Sequence, residues 1–280
     1  MSVPVIAEPV FQIGAFPVTN ALVNSTVLML AVSAFAFWFG KSIRKVPGKV
    51  QALVETLVET LFTYFDQVTR SRTKTMRFLP LVGSLFLFIL LSNWMGLLPG
   101  TGSIGVWQTV HGELELVPLL RPANSDLNLT LAMALLSVVS SHVLGMLTVG
   151  FFVHWNRFIQ LGSVWKAIRT LQPMKILVAL IEFVVGLLEI VSELAKVLSL
   201  SLRLFGNIFA GEVLMTVIAS LASFFVPLPF MLLEILVGIV QATVFSMLTL
   251  VYLTVLTEKP HGEHEDRKAH DASAPAMSHA

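Results

Sequence analysis

The chain has 280 residues, 55% of them hydrophobic and only 12% charged, far from the quarter or so of charged residues in a soluble domain. Its mean hydropathy of +0.82 reads as an integral membrane protein with several spans. With no cysteine, disulfides, thiolate metal sites and cysteine nucleophiles are excluded, and the net charge of +1 selects no class of partner.

Residues 1–20 contain no Lys or Arg, so the basic start of a secretory signal is missing. The first apolar run, about Val18 to Gly40, is long enough to span. It ends in Lys41, Arg44, Lys45 and Lys49 around the Pro47-Gly48 break, which predicts a retained membrane helix. From Lys49 to Arg70, Val50, Leu53, Val54, Leu57, Val58, Leu61 and Phe65 recur at helical spacing, with Glu55, Glu59 and Asp66 among the polar positions. That pattern predicts an amphipathic helix on the membrane surface, followed by the cluster Arg70, Arg72, Lys74 and Arg77.

A second span is predicted over about Phe78 to Leu98, then a polar loop rich in Gly and Pro that holds Glu113, Glu115 and Asp126. A third span runs about Leu129 to Phe152, and the next loop carries Arg157, Lys166, Arg169 and Lys175. The apolar stretch from Ile176 to Phe225 exceeds the roughly 20 residues of one perpendicular crossing and would extend about 75 Å as a helix. It predicts one arm of a long, tilted hairpin, bent at Val226-Pro227-Leu228-Pro229, with Phe230 to Leu256 as the other arm. A His-rich tail, residues 258–280, is expected to be disordered. The expected fold is all-α and polytopic: one membrane domain over residues 1–257, with about five crossing helices and one surface helix.

Eight Lys/Arg lie in residues 41–77, four in 155–175 and three in the tail, while the opposite side holds only Arg121. Basic residues favour the cytoplasmic side, which places the N-terminus outside and the C-terminus in the cytoplasm. No internal repeat is visible, so the inverted-repeat design of many secondary transporters gains no support.

The central feature is charge within apolar sequence. Glu189, Glu193, Lys196 and Arg203 interrupt one run, and Glu212 follows nine residues after Arg203. Ionisable groups in hydrocarbon are costly unless paired or wetted; a chain that gathers this many uses them, and moving an ion fits that use. At about 100° per residue, Glu182, Glu189, Glu193, Lys196, Arg203 and Asn207 fall in a band about 80° wide. Glu193 and Lys196 can pair at i,i+3. Glu212 lies about 180° from Arg203 and is not expected to neutralise it.

Glu234 and Gln241 are seven residues apart and share a face of the last helix. Mirror pairing across the turn does not bring Glu212 opposite Glu234; the two meet only with an asymmetric turn or if the helix carrying Glu212 ends well before Phe225, and a break near Ser223 helps only in part. An arginine near a helix end snorkels to the interface, but Arg203 has apolar neighbours for several turns on both sides. For Glu189, Glu193 and Lys196 a solvated, salt-bridged face is the alternative. For Asn207 and Gln241 it is a plain interhelical hydrogen bond.

Other cues are weaker. His142 fits a satisfied core histidine better than a proton relay. His261, His264, His270 and His279 resemble a metal-binding tract only loosely. Asn24-Ser25-Thr26 fits a glycosylation sequon but lies within a predicted span. The patterns GxxxxGK[ST], HExxH and GxSxG are missing, so no nucleotide-binding or hydrolytic site is encoded. No cofactor, metal or nucleic acid is expected.

The segment Ser199-Leu200-Ser201-Leu202-Arg203-Leu204-Phe205-Gly206-Asn207-Ile208-Phe209-Ala210-Gly211-Glu212 closely resembles the signature of subunit a, the membrane stator of the F-type rotary ATP synthase. Asn93-Trp94-Met95-Gly96-Leu97-Leu98-Pro99 and Asp126-Leu127-Asn128-Leu129-Thr130 resemble the family's loop after the second span. Gln241-Ala242-Thr243-Val244-Phe245 and Leu248-Thr249-Leu250-Val251-Tyr252-Leu253 resemble its last helix. The resemblance covers residues 18–257 in order.

It implies a non-catalytic, proton-translocating subunit of a bacterial inner membrane. The implied partners are the c-subunit ring, the b-subunit peripheral stalk, other subunits of the synthase, the lipid bilayer and H+. By the same resemblance Arg203 faces the ring carboxylates and blocks a direct leak. Glu212 and Glu234 belong to the half-channel through which protons enter during synthesis; some members have His at one of these positions, where this chain has Glu at both. Asn207 and Gln241 match polar positions near the arginine, and Glu189 matches a position of the cytoplasmic half-channel.

Two other classes compete. A stand-alone ion transporter or channel would be expected to hold its own coupling site, but the arginine lacks an obvious acidic partner. A membrane enzyme needs a nucleophile, metal or cofactor constellation, and none is evident.

Overall fold

The computed structural model describes residues 9–14, 16–98, 105–110, 113–118, 121–158, 173–221 and 225–258. The His-rich tail beyond Glu258 and the basic loop holding Lys166 and Arg169 lie outside the described residues. Seven α-helices are described: α1 (Asn20–Ser42), α2 (Lys49–Thr69), α3 (Arg72–Met95), α4 (Leu127–Val149), α5 (Phe151–Phe158), α6 (Pro173–Leu221) and α7 (Pro227–Thr257). The protein is an all-α, multi-pass membrane protein. Among the described helices α1, α3, α4 and α7 are long and apolar enough to cross a membrane. The 49-residue α6 is the one interrupted by charge.

Two short antiparallel hairpins lie outside the helical pattern. One pairs β1 (Pro9–Ile13) with β2 (Phe16–Thr19), and the other pairs β3 (Gly105–Val110) with β4 (Glu113–Pro118). The first runs into α1, where Thr19 Oγ1 accepts from the Leu22 amide and supplies the N-cap.

Several boundaries differ from those expected. Helix α3 starts at Arg72 rather than near Phe78, so Arg72, Lys74 and Arg77 sit on its first turns. The α2–α3 corner explains the early start. Arg70 takes a left-handed conformation (φ 52°), the Thr69 and Thr75 hydroxyls meet at 2.6 Å, and Arg72 bridges Asp66 at 2.9 Å and Glu59 at 3.2 Å. The third apolar helix stops at Val149, because Gly150 turns the chain at φ 103° before α5. Helix α7 begins at Pro227, where a missing N–H costs nothing. On α2, Leu61 and Phe65 are buried, whereas Val50, Leu53, Leu57 and Val58 stay exposed. That exposed apolar edge suits the surface of a bilayer.

The chain divides into two compact units: Met1–Val139 with Val191–Tyr252, and Ser140–Ile190 with Leu253–Ala280. In the first, Val82, Ile89, Leu204, Phe245 and Leu250 are fully buried, and Ser137 and Thr249 share a buried hydroxyl bond of 2.7 Å. In the second, the Gly145 face of α4 meets the Leu256 carbonyl and the His154 ring. His142 is hydrogen-bonded there to buried His154 (Nδ1 to Nε2, 3.1 Å), a structural histidine pair.

Within the first unit a polar clamp fixes the segment after β4. Asn24 donates to the Arg121 carbonyl (2.5 Å), and Asn124 donates to Asn93 Oδ1 (2.7 Å) and the Ile89 carbonyl (3.3 Å). Asn93 in turn reaches the Gly238 carbonyl (3.4 Å). Asn24, read in the sequence as part of a sequon, is therefore a buried tether. Gly96 lies so close to the Pro122 ring that a Cβ has no room. Gly96→Ala is expected to destabilise the protein by about 1–3 kcal/mol through this overpacking. Gly40→Ala on α1, where nothing lies within 4 Å, is expected to leave stability unchanged or raise it by up to about 1 kcal/mol through helix propensity. Thermal unfolding midpoints in detergent compare the two.

Candidate functional site

Helix α6 sets the site by dividing its faces. Leu200, Leu204 and Ile208 recur every four residues and are buried, which fixes the helix against the rest of the first unit. Arg203 is turned outward and exposed. Its Nη2 donates to Ser199 Oγ at 3.4 Å, and among the described residues no carboxylate lies within ion-pair distance of it. Ser192, Ala195, Ser199, Gly206 and Ala210 are also exposed and lie within about 80° of Arg203 around the helix. This stripe of small residues surrounds the guanidinium, and Gly206 faces open space. No expectation drawn from the sequence includes this stripe, although its spacing is legible in the residues.

Two other contacts tie α6 down. Asn207 Nδ2 donates to Gln241 Oε1 at 2.8 Å, and Gln241 is 3% exposed, so α6 and α7 are latched one turn from Arg203. Lys196 pairs with Glu193 at 2.6 Å and lies over the Tyr252 ring, 5.3 Å from its centroid.

Glu212 does not approach Arg203. It pairs with Arg121, which is 3% exposed: Nε lies 2.9 Å from Oε1 and 3.2 Å from Oε2, and Nη2 lies 3.1 Å from Oε2. In the sequence Arg121 stands out only as the single basic residue between the second and third apolar runs. A lone cation next to a loop proline, with an intramembrane acid lacking a partner elsewhere, was the available signal.

Glu234 packs against Gly211, where the absence of a side chain leaves room for its carboxyl. The Glu234 carboxyl thus lies against the residue next to Glu212, and both acids line one cavity, although mirror pairing across the turn does not bring them opposite each other. Glu212, Glu234 and Arg121 line a cavity of about 370 Å³ together with Asn93, Met215 and Met231. Glu234 makes no hydrogen bond or ion pair among the described residues.

Five of the six residues singled out in the sequence, Arg203, Asn207, Glu212, Glu234 and Gln241, therefore lie in the first unit, while Glu189 is half-buried on the part of α6 that belongs to the second. Among the described residues there is no group of three or more His, Asp or Glu fit to hold a metal ion.

Comparison with known proteins agrees over most of the chain. The family model described as ATP synthase A chain matches residues 22–254. ATP synthase subunit a of Mycobacterium ulcerans is 32% identical over 251 residues, covering 88% of this chain and 90% of the relative. ATP synthase subunit a of Moorella thermoacetica is 28% identical over 244 residues, covering 87% and 93%. The protein called ATP synthase subunit a, sodium ion specific, from Propionigenium modestum is 30% identical over 251 residues, covering 89% and 78%. The match runs from the first turn of α1 to the last turn of α7, through both acids of the cavity and the exposed arginine, and the chain belongs to the ATP synthase A chain family.

Proposed function

We propose that this subunit is the proton-translocating stator of a rotary ATP synthase, in which Arg203 faces the carboxylates of a c-subunit ring between two offset half-channels. The observation that carries this reading is the isolation of Arg203, an exposed guanidinium on an apolar helix with no carboxylate in reach among the described residues. A guanidinium stays charged at any working pH, and in a membrane it demands an anion. A ring carboxylate brought in by a neighbouring subunit supplies one. The small-residue stripe around Arg203 lets another helix come close.

The mechanism follows from electrostatics. A carboxylic acid facing Arg203 in low dielectric is driven to its ionised form. Each ring carboxylate therefore releases its proton on approaching Arg203 and takes one up after leaving. Two half-channels that open to opposite sides, offset around the ring, convert this into rotation in one direction. The membrane potential supplies about 2.3 kcal/mol per proton per 100 mV. The cavity holding Glu212 and Glu234 serves as the inlet half-channel for synthesis. Glu189 serves the cytoplasmic one, and the Asn207–Gln241 latch holds α6 in register beside the arginine. The Lys/Arg bias orients the subunit in a bacterial inner membrane with its N-terminus outside and C-terminus in the cytoplasm. The b-subunit peripheral stalk and the other synthase subunits complete its surroundings.

ATP-driven acidification of inverted membrane vesicles tests this. Arg203→Ala and Arg203→Lys are expected to reduce pumping by about two orders of magnitude with assembly intact, and the Ala variant is also expected to leak protons passively. Normal pumping in both would return Arg203 to a structural role. Acidification is expected to persist in sodium-free buffer; strict sodium dependence would replace H+ by Na+ as the ion. A separate variant probes the docking face. Gly206→Leu meets open space in this chain and is expected to leave its stability unchanged while blocking pumping; full pumping would remove the ring from this face.

A further inference from the structure

Arg121 is the most deeply buried cation among the described residues, and its placement is constructed rather than incidental. Its backbone carbonyl is held by Asn24 of α1, Pro122 is seated on Gly96 at the end of α3, and Asn124 is held by Asn93 and the Ile89 carbonyl. Three separate contacts thus fix the segment from which the guanidinium reaches into the cavity. There it grips both oxygens of Glu212. A fork-shaped donor against a planar carboxylate fixes orientation as well as distance. Glu234, across Gly211 in the same cavity, has no such grip.

We propose that Arg121 is a positioning residue of the inlet half-channel: it holds the Glu212 carboxyl in one orientation beside Glu234, and it affects ion flow only through Glu212. The proposal rests on the stator reading given above. It divides the labour of the two acids, with Glu212 anchored to the protein frame and Glu234 free to swing between the cavity and its neighbour. Removing one member of a buried pair strands the other without compensation, and a lysine in its place keeps the charge but loses the two-pronged grip that sets orientation.

A double-mutant cycle on the assembled synthase in inverted vesicles tests this, using Arg121→Gln, Glu212→Asp and the double variant, with Arg121→Lys and Arg203→Ala alongside. Glu212→Asp keeps a carboxyl but draws it back by one methylene. If Arg121 acts through Glu212, Arg121→Gln lowers pumping about tenfold or more, Arg121→Lys, which keeps the charge but not the fork, also loses pumping though less than Gln, and the double variant pumps no worse than Arg121→Gln alone. Losses that multiply in the double variant, or wild-type pumping by Arg121→Gln in fully assembled complexes, would overturn the proposal. Should Arg121→Gln fail to assemble, Arg121→Lys decides in its place: a loss of pumping that Glu212→Asp does not deepen supports the proposal, and pumping unchanged from wild type sinks it. Arg203→Ala separates the two levels. If that variant pumps normally the stator reading itself falls; if it is dead while the cycle is additive, only the role of Arg121 falls.

Discussion

The cost of charge in a hydrocarbon environment organises this molecule. A buried or membrane-embedded ion must be paired, solvated or exported to a partner. Along α6 two of these solutions are visible. Glu193 is paired locally, one turn from Lys196. Glu212 is paired at long range, with a loop residue 91 positions earlier. Arg203 is left facing outward with its counter-charge absent from the described chain. The contrast sets the arginine apart: the neighbouring charges are neutralised within the chain, and this one has no carboxylate in reach among the described residues.

The helices serve to hold those solutions in place. Leu200, Leu204 and Ile208 lock the buried face of α6, so the opposite face is presented without ambiguity. The Asn207–Gln241 bond then removes rotational slack between α6 and α7. Glycine contributes by absence at two points. Gly96 admits the Pro122 ring and so the Arg121 segment, while Gly211 admits the Glu234 carboxyl beside Glu212. The cavity lined by Glu212 and Glu234 is thus made by close approaches at its rim, with the polar groups held between them.

What could be read from the sequence was what is local. The polar band of α6, the amphipathic α2 and the apolar runs of α1, α3, α4 and α7 are periodic signals within one helix, and period is visible in a string of residues. The Glu193–Lys196 pair follows from the same spacing. The contacts that build the cavity link residues far apart in the chain: Asn24 to Arg121, Asn93 to Gly238, Arg121 to Glu212. No periodicity predicts them, because tertiary packing sets them. The β3–β4 hairpin is an intermediate case. Glu113-Leu114-Glu115-Leu116 alternates in the period of a strand, but the surrounding Gly- and Pro-rich loop masked it. The α4 boundary was missed for a different reason: Gly150 continues an apolar composition while breaking the backbone.

The Arg121–Glu212 pair also bears on how the chain is made. Synthesis runs from the N-terminus, so the segment carrying Arg121 emerges 91 residues before Glu212, a lead of about 5–20 s at ordinary elongation rates. During that interval α1 and α3 can already seat the loop through Asn24, Asn93 and Gly96. When α6 follows, its acidic residue enters a membrane in which the receiving cation is in place. The order of residues along the chain therefore spares the cell an interval in which a carboxylate waits unpaired within lipid, and it makes the earlier helices a template for inserting the later ones.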